Sequence, residues 1–301
     1  MKASDPLVVI SSKAGRLGNR LFLSAYFMAN SLAKGYNLIN PALDEYAHLF
    51  EGSVGDPYCA FPHRLGSEEE DLAGQCRSVL IKAGDFLGTL ADLIPVPGIR
   101  VIDIRRSHDE GDRIYDLCGE DFDGHLHSRG LLVVKGWKFR DNENLLRFHS
   151  QITSYFTPVQ TIRISVEEII RSARAVGDFV IGVHIRQGDY RGWKNGVHFF
   201  ETDQYAHWMR QAAALHSTKK PVFLICASDT VEKHLFEGLD VIDGPGTVVG
   251  DLHALSLCDA IMGPPSTFSA WASYRGRVPL CMLQHHQQRV VSSAFVMHDR
   301  V

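Results

Sequence analysis

Apolar residues along the chain fall into short continuous runs that alternate with longer segments of helical period. Pro6–Ser12 is an apolar run typical of a buried strand, and the apolar residues of Arg20–Lys34 recur at the spacing of one helix face. Between them, Lys13–Asn19 contains two glycines and predicts a loop, and Tyr36–Asn40 predicts the next strand. A strand, a helix and a second strand in this order indicate a βαβ unit within a parallel sheet.

The rest of the amino-terminal half is less regular. We expect an irregular insertion at about residues 52–123, in which the acidic run Glu68–Asp71 predicts a solvated face and Ile99–Ile104 predicts a strand. Beyond it, Gly130–Phe139 predicts a strand, and Asn142–Phe156 predicts a helix that ends before the next proline.

Predicted strands and helices alternate without interruption in the second half of the chain. The strands are predicted at Phe179–Ile185, Val222–Ala227, Ala260–Gly263 and Val278–Leu283, and the helices at Val166–Ala175, Asp203–Leu215, Thr230–Phe236, Leu252–Cys258 and Thr267–Tyr274. The lengths and the proline punctuation predict a boundary near Pro158–Ser165. We therefore predict an α/β protein of two Rossmann-like domains, residues 1–160 and 161–301, with a cleft between them.

The strongest candidate site is the stretch Ile181–Tyr190, in which an apolar strand runs directly into charged residues. Ligands of open α/β sheets bind beyond the carboxyl ends of the strands. Arg186 is permanently charged and offers a planar fork of donors that suits two phosphate oxygens, and Asp189 could orient that fork. A purely structural Arg–Asp pair is the alternative, and His184 alone is more typical of a satisfied strand histidine than of a catalyst.

Two glycines mark a second candidate site in Ala14–Arg20, because Gly15 and Gly18 allow close approach of a ligand to the backbone. The helix that follows has a positive amino terminus, which favours anions, and Asn19 is predicted to cap it. The pattern is neither a Walker loop nor a dinucleotide-binding fingerprint.

Two further strand-end loops carry polar residues. In Pro264–Trp271, the prolines delay the helix, so that Ser266 and Thr267 fall in its first turn, where hydroxyl and amide groups can hold a phosphate or simply cap the helix. In Phe223–Thr230, Asp229 follows a strand and has Glu232 three residues later. This spacing favours a capping box, with a carboxylate for ribose or base as the alternative.

The bulk composition narrows the class of function. The formal net charge of −4 provides no basic field, so we expect no nucleic-acid partner. No apolar run approaches the length that a bilayer requires, and the amino terminus lacks the apolar core of a signal peptide. The six cysteines form no CxxC pair, which favours free thiols and a cytoplasmic protein.

Taken together, Ala14–Asn19, Ile181–Tyr190 and Asp251–Tyr274 resemble the bacterial α-1,2-fucosyltransferases, within a superfamily that includes α-1,6- and protein O-fucosyltransferases. Lys135–Pro158 is similar to a family segment as well, whereas residues 52–123 are not covered. The resemblance implies a GT-B-like fold, transfer of L-fucose from GDP-β-L-fucose to a glycan hydroxyl with inversion, and no metal or other cofactor. It places the acceptor on the side of the amino-terminal domain, and a lipid-linked acceptor would bring the chain to a membrane surface.

The resemblance also implies a role for each candidate residue. Arg186 would hold the diphosphate, His184 would lie near the donor ribose or support Arg186, and Asp229 would contact guanine or ribose. The residues that would bind phosphate through hydroxyl and backbone groups are Ser266, Thr267 and Phe268. The residues that would line the cleft from the amino-terminal domain are Gly15, Gly18 and Asn19.

This chain departs from the family pattern at three places in or beside these motifs, one of which is Pro264–Pro265 in place of a more polar turn. Gln187 stands where many relatives carry a second arginine, and Arg20 stands where they usually carry glutamine. We hypothesise that Arg20 restores the positive charge at the phosphates that Gln187 lacks. The catalytic base has no single sequence signal, and its candidates are Asp189, His198, Glu201 and Asp203.

Three other interpretations compete with a metal-independent fucosyltransferase. Asp121-Phe122-Asp123 is a DxD triplet that could hold Mg²⁺ or Mn²⁺ in a GT-A transferase. Gln187 and the missing base would fit a degenerate protein that binds a GDP-sugar without transferring it. A transferase that uses another GDP-sugar would share every motif described above.

Overall fold

Each half of the chain forms an α/β unit of its own in the computed structural model, which describes residues 6–62, 70–93, 97–105, 114–127 and 130–298. The two compact units are Met1–Val159 and Gln160–Val301. The first half of the predicted acidic run Glu68–Asp71 lies outside the described residues. Among the helices that are described, none is both long and apolar enough to cross a membrane.

The amino-terminal unit is built on a five-stranded sheet in the order β3-β2-β1-β6-β4, and β5 pairs with β7 separately. Its strands are β1 (Leu7–Ile10), β2 (Asn37–Ile39), β3 (Ala60–Phe61), β4 (Ile99–Asp103), β5 (Tyr115–Asp116), β6 (Leu131–Lys135) and β7 (Phe139–Arg140). Its helices are α1 (Leu17–Lys34), α2 (Glu70–Leu93), α3 (Glu120–His127), α4 (Asn142–Arg147) and α5 (His149–Tyr155), with a 3-10 segment at Pro41–Leu49. All pairings in the large sheet are parallel except that of β3 with β2.

Helix α1 begins earlier than its sequence pattern predicts. Gly15 adopts a left-handed conformation with φ of 56°, and the helix starts at Leu17 rather than at Arg20. Burial of Leu17, which is only 1% exposed, stabilises this extra turn. Asn19 is therefore the third helical residue and not the cap that the sequence predicts. The helix ends, as expected, at Gly35 in the left-handed conformation.

Two other predicted elements of this unit are interrupted, and the supposedly irregular segment is structured. The strand predicted at Gly130–Phe139 divides into β6 and β7 because Gly136, with φ of 117°, leaves the extended conformation. The helix predicted at Asn142–Phe156 divides at Phe148 into α4 and α5. Among the described residues of 52–123, α2 and the start of α3 are regular helix. β4 confirms the strand predicted at Ile99–Ile104 and pairs along its whole length with β6.

The carboxy-terminal unit is built on a six-stranded sheet in the order β10-β9-β8-β11-β12-β13, which is parallel except for the edge strand β13. The strands are β8 (Phe179–Ile185), β9 (Pro221–Ala227), β10 (Val241–Asp243), β11 (Ala260–Gly263), β12 (Leu280–Met282) and β13 (Phe295–Val296). The helices are α6 (Gln160–Val176), α7 (Thr202–Leu215), α8 (Val248–Ser256) and α9 (Thr267–Gly276). Short 3-10 segments occur at Asp189–Arg191, Trp193–Gly196, Lys233–Phe236 and Ser292–Ala294.

The core of this unit explains why its strands are so apolar. β8 and β9 lie in the middle of the sheet, and a cluster that includes Phe200, Tyr205 and Trp208 is fully buried beside them. A parallel sheet covered on both faces requires apolar residues at successive positions. The Trp208 indole nitrogen is satisfied by donation to the carbonyl oxygen of Gln288 at 2.7 Å.

Several predicted boundaries in this unit are wrong by one turn or more. The helix predicted at Thr230–Phe236 is only a 3-10 turn at Lys233–Phe236, and the helix predicted at Leu252–Cys258 begins four residues earlier as α8. The helix predicted at Val166–Ala175 begins at Gln160, as part of α6. The strand predicted at Val278–Leu283 is reduced to β12. These ends depend on tertiary packing, which local periodicity does not report.

We predict that the close approach of α9 to α8 makes Gly276 indispensable for stability. A Cβ at Gly276 would lie 2.0 Å from the carbonyl oxygen of Ser256, so the backbone would have to move. Gly276→Ala should lower the free energy of unfolding by about 2–3 kcal/mol, measured by urea denaturation.

The matched control is Gly124→Ala in α3, where a Cβ would meet nothing within 4 Å. This variant should be neutral or should stabilise the protein by up to about 1 kcal/mol. Equal unfolding free energies for Gly276→Ala and the unsubstituted protein would contradict the proposed packing.

Candidate functional site

The carboxyl ends of three adjacent parallel strands bring polar side chains together in the carboxy-terminal unit. β8 lies between β9 and β11 in the sheet. Arg186 follows β8 directly, Asp229 lies beyond β9, and Ser266 lies beyond β11. We call these three residues, with Asp189 and Tyr190, the strand-end cluster. It lies where open α/β sheets bind ligands.

Asp189 holds the guanidinium of Arg186 in a fixed orientation. Nε donates to one carboxylate oxygen at 3.0 Å and Nη2 donates to the other at 2.8 Å, while the ring of Tyr190 lies 4.6 Å from the guanidinium carbon. Nη1 donates to Oγ of Ser266 at 3.4 Å. Burial lowers the pKa of Arg186, but the hydrogen bond with Asp189 and the nearby Tyr190 outweigh burial and raise the pKa above its usual value. The Arg–Asp pair therefore exists, and the guanidinium stays charged.

Asp229 and Tyr190 tie the three strand-end loops to one another. One carboxylate oxygen of Asp229 accepts from the amide of Gly188 at 2.8 Å and from the hydroxyl of Ser228 at 2.8 Å. The Gly188 and Ser228 hydrogen bonds lower the pKa of Asp229. The Tyr190 hydroxyl donates to the carbonyl oxygen of Pro265 at 2.6 Å. Asp229 thus links the β9 and β8 loops and does not begin the predicted capping box.

His184 is buried beneath the cluster as an uncharged side chain. It is 7% exposed, and its ring lies 4.9 Å from the ring of Phe268. Burial, followed by the neighbouring charge of Arg186, lowers the pKa of His184 to about 3. Its Nδ1 is buried without a hydrogen-bond partner among the described residues. These features fit a supporting role better than proton transfer at neutral pH.

Ser266 caps helix α9 and also contacts Arg186. Its Oγ accepts from the amide of Phe268 at 3.2 Å, and Thr267 is the first helical residue. The predicted phosphate ligands are therefore brought together at one helix start, beside the guanidinium. The Phe268 amide is already bound by the cap, so a phosphate would have to compete with Ser266 for it.

Gln187 is directed into the protein framework. Its Nε2 donates to the carbonyl oxygen of Phe200 at 3.0 Å and approaches the hydroxyl of Thr202 at 3.5 Å. These contacts anchor the segment that precedes α7. Gln187 therefore adds no charge to the strand-end cluster, which relies on Arg186.

The candidate residues of the first glycine loop lie together in the amino-terminal unit. The left-handed Gly15 turn contacts Asn19 so closely that a Cβ at Gly15 would lie 2.5 Å from Nδ2 of Asn19. Gly18 is buried within the first turn of α1 rather than in the loop. Gly15 is exposed, so it is the one glycine of this pair at which a ligand could approach the backbone.

The side chain of Arg20 is bound to residues of its own unit. It is 8% exposed, and its guanidinium donates to the carbonyl oxygens of Gly15 at 3.2 Å and Ala42 at 3.3 Å. It also forms an ion pair with Glu45 at 2.7 Å and lies 5.0 Å from the ring of Tyr46. The hypothesis that Arg20 replaces the missing charge at the phosphates would require Glu45 to release it.

The DxD triplet lies in helix α3 and not in the polar loop that the sequence predicts. Asp121 accepts a hydrogen bond from the hydroxyl of Tyr115, and Asp123 is paired with Lys34. Both carboxylates therefore have structural partners. No group of three His, Cys, Asp or Glu side chains in the described part of the chain has a metal-binding arrangement.

Two residues of this site received no role from the sequence alone. The sequence motif contains Tyr190, but it does not predict that the ring of Tyr190 packs on Arg186. Asp251, in α8, is 8% exposed, and one of its carboxylate oxygens accepts from the amide of Gly246 at 2.8 Å. Burial raises the pKa of Asp251 to about 6. The sequence signal that could have indicated Asp251 is the Gly-Pro-Gly turn Gly244–Gly246, which joins β10 to α8.

Comparison with solved structures shows the fold of the chain. A mutant of FUT1 from Arabidopsis thaliana in complex with GDP matches with a TM-score of 0.59 at 15% identity, covering 94% of this chain and 71% of that chain. NodZ, an α-1,6-fucosyltransferase from Bradyrhizobium that was co-crystallised with GDP, matches with a TM-score of 0.55 at 16% identity, covering 93% and 96%. POFUT1 in complex with GDP-fucose matches with a TM-score of 0.51 at 11% identity, covering 96% of each chain.

These likenesses confirm the predicted GT-B-like α/β fold class. No protein-family model matches the chain, and no curated protein matches it in sequence. At identities of 11–16%, the likeness is one of fold, and the chemistry must be argued from the residues of the site.

We predict that His184 makes the protein sensitive to acid. Its pKa in the folded state is about 3, below the ordinary value of 6.5, so the stability that it contributes is complete above about pH 6.5 and is lost as the pH falls towards 3. Between pH 7 and pH 5, the unfolding free energy should fall by about 2 kcal/mol more in the unsubstituted protein than in His184→Gln.

Urea denaturation at the two pH values measures this difference. His48→Gln, a substitution of an exposed histidine, is the control and should follow the unsubstituted protein. Parallel loss of stability in His184→Gln and the unsubstituted protein would show that His184 is not buried in the uncharged state.

Proposed function

We propose that this chain is an inverting glycosyltransferase that moves L-fucose from GDP-β-L-fucose to a hydroxyl of a glycan acceptor, as α-1,2-fucosyltransferases do. One observation carries the proposal: a permanently charged guanidinium, fixed by Asp189 at the end of β8, in a fold shared with proteins crystallised with GDP or GDP-fucose. This is the position at which a nucleoside diphosphate binds in open α/β sheets.

The charge of Arg186 suits the chemistry of the leaving group. Breaking the bond between the sugar and the β-phosphate leaves negative charge on GDP and an oxocarbenium-like sugar. A cation oriented before the substrate arrives stabilises that charge without reorganisation. One such donor lowers the activation barrier by roughly 3–4 kcal/mol. Asp189 and Tyr190 supply this orientation. We propose that Arg186, with the start of α9, does the work that a divalent ion does in metal-dependent transferases.

The nucleoside is assigned to the carboxylates at the same sheet edge. Asp229 follows β9, and Asp251 lies in the helix that follows β10, so both are beyond carboxyl ends of the sheet. Carboxylates accept hydrogen bonds from ribose hydroxyls and from the N–H groups of guanine. Asp229 keeps acceptor capacity in its second oxygen while the first binds Gly188 and Ser228.

Among the four candidate bases, the contacts favour His198. Both oxygens of Asp189 accept from Arg186, one oxygen of Asp203 accepts from the amide of Gln204, and Glu201 is an exposed residue at the start of α7. Nδ1 of His198 lies 3.2 Å from the carbonyl oxygen of Gln284, which fixes the proton on Nδ1. Nε2 then carries the lone pair that a general base requires.

The proposed reaction is a single displacement at the anomeric carbon. The acceptor O–H bond breaks and its proton moves to Nε2 of His198, while the acceptor oxygen bonds to C1 of the sugar. The bond from C1 to the β-phosphate oxygen breaks in the same step, and GDP leaves with the electron pair. Attack from the side opposite GDP inverts the anomeric configuration.

The second candidate function is binding of a GDP-sugar without transfer. Gln187 motivates it, because this side chain is bound to Phe200 and adds no second cation. A transferase that uses another GDP-sugar shares the same site. Titration calorimetry with GDP, UDP and CMP, followed by transfer assays with their sugars in the presence and absence of a chelator, separates these alternatives. GDP should bind best, GDP-fucose should be consumed, and the chelator should have no effect.

Loss of the guanidinium fork should slow the reaction strongly even when the positive charge is kept. Arg186→Lys retains a cation but cannot form the two parallel hydrogen bonds with Asp189, so donor consumption should fall about 100- to 1,000-fold. Arg210→Lys is the matched control, since Arg210 donates to carbonyl oxygens of Leu235 and Glu237. Substantial activity of Arg186→Lys would show that the reaction does not depend on a guanidinium oriented by Asp189.

Removing the proposed base should affect turnover and spare binding. His198→Gln should lower kcat by about 100- to 10,000-fold, because the acceptor hydroxyl loses its proton acceptor, while the Kd of GDP measured by calorimetry stays unchanged. Glu201→Gln tests the neighbouring carboxylate and should retain activity. The assignment is wrong if these two variants exchange their behaviour.

A further inference from the structure

A ladder of aromatic rings extends from the strand-end cluster into the segment that follows it. Tyr190, on which Arg186 packs, lies 4.8 Å from the ring of Trp193 with an interplanar angle of 32°. Trp193 in turn lies 5.6 Å from the ring of His198. Tyr190 is 4% exposed, whereas Trp193 is 40% exposed. The ladder therefore begins in the protein interior, and its middle ring, the indole of Trp193, can be reached by solvent.

The backbone immediately after Trp193 is held in an unfavourable conformation. The three residues after it, Lys194, Asn195 and Gly196, have φ values of 48°, 58° and 73°. Glycine adopts this left-handed region readily and asparagine does so more often than most residues, whereas lysine adopts it only at a cost in free energy. Van der Waals contacts with Tyr190 and His198 help to offset this cost, and the result is an indole kept in one place.

We propose that Trp193 is the platform on which a pyranose ring of the acceptor glycan stacks; this inference rests on the proposed function. The C–H groups on one face of a pyranose are apolar and weakly positive, and they complement the negative face of an indole. Val197, 52% exposed, adds apolar surface on the same segment. Binding sites for small ligands combine such apolar contacts with a few fixed polar groups.

The position of Trp193 in the ladder is what suggests an acceptor rather than a donor contact. On one side the ladder leads through Tyr190 to Arg186, which is assigned to the diphosphate. On the other side it reaches His198, the proposed base, which must lie near the acceptor hydroxyl. A sugar packed on the exposed part of Trp193 would therefore lie near both the diphosphate site and the base, where the acceptor is required.

The same indole could instead stack on the guanine base, and the two roles predict different measurements. A nucleobase platform would contribute to the affinity for GDP alone, before any acceptor binds. An acceptor platform would contribute only to the binding of the glycan. A purely structural role would disturb Tyr190 and Arg186, and would weaken GDP binding and donor hydrolysis together.

The experiment uses the full chain with Trp193→Leu, which removes the ring but keeps apolar volume, and Trp193→Phe, which keeps a ring. Calorimetry with GDP is followed by saturation-transfer NMR with lactose, cellobiose and N,N′-diacetylchitobiose in saturating GDP. The disaccharide that binds best should bind Trp193→Leu about tenfold more weakly, and Trp193→Phe should recover most of that loss. The Kd of GDP should not change in either variant. Ile164→Ala, at an exposed apolar position of α6, should behave as the unsubstituted protein.

Each other outcome counts against the acceptor platform. Weaker GDP binding in Trp193→Leu would indicate a nucleobase or structural role. If GDP binds but no disaccharide binds the unsubstituted protein, or if binding does not depend on Trp193, the platform is refuted while the proposed function stands. Absence of GDP binding in the unsubstituted protein would refute the proposed function itself.

Discussion

The two parallel hydrogen bonds between Arg186 and Asp189 are the interaction on which the site depends. An arginine at the end of a strand has many accessible rotamers, and an anion that binds it must order them. Here the ordering is complete before any ligand arrives, because Asp189 fixes the plane of the guanidinium and Tyr190 supports it from one side. The cost is that Asp189 partly neutralises the charge that the site presents.

The loops around this pair are connected so that the guanidinium has little room to move. Asp229 accepts a hydrogen bond from the Gly188 amide, and Tyr190 donates one to the Pro265 carbonyl group. The hydroxyl oxygen of Ser266 accepts one from Nη1 of Arg186. Each bond joins the ends of two different strands of one sheet. A displacement of any loop would therefore be transmitted to Arg186, which is how a rigid sheet can position a group that lies in a loop.

The sequence alone predicted the parts of this arrangement that depend on local order. Strands followed by polar residues place Arg186, Asp229 and Ser266 at carboxyl ends, and the parallel sheet then brings them together. Contacts between distant residues were beyond such reasoning. The hydrogen bond from Gln187 to Phe200 depends on the path of the loop between β8 and α7, which contains two 3-10 segments. The burial of Arg20 depends on the fold of the 3-10 segment Pro41–Leu49. Helix starts were missed for the same reason, since the burial of Leu17 decides where α1 begins.

Gln187 leaves the strand-end cluster with one cation, Arg186. A second arginine beside Arg186 would have added a cation, but it would also have needed a counterion or solvent of its own. The amide of Gln187 instead ties the β8 loop to Phe200, next to the start of α7. The positive charge at the strand ends then comes from one oriented guanidinium and the amide dipoles at the start of α9, with Ser266 in contact with both. For the diphosphate leaving group of the proposed reaction, fixed orientation of these groups matters more than their number, because the energy of reorganising them has already been supplied by the fold.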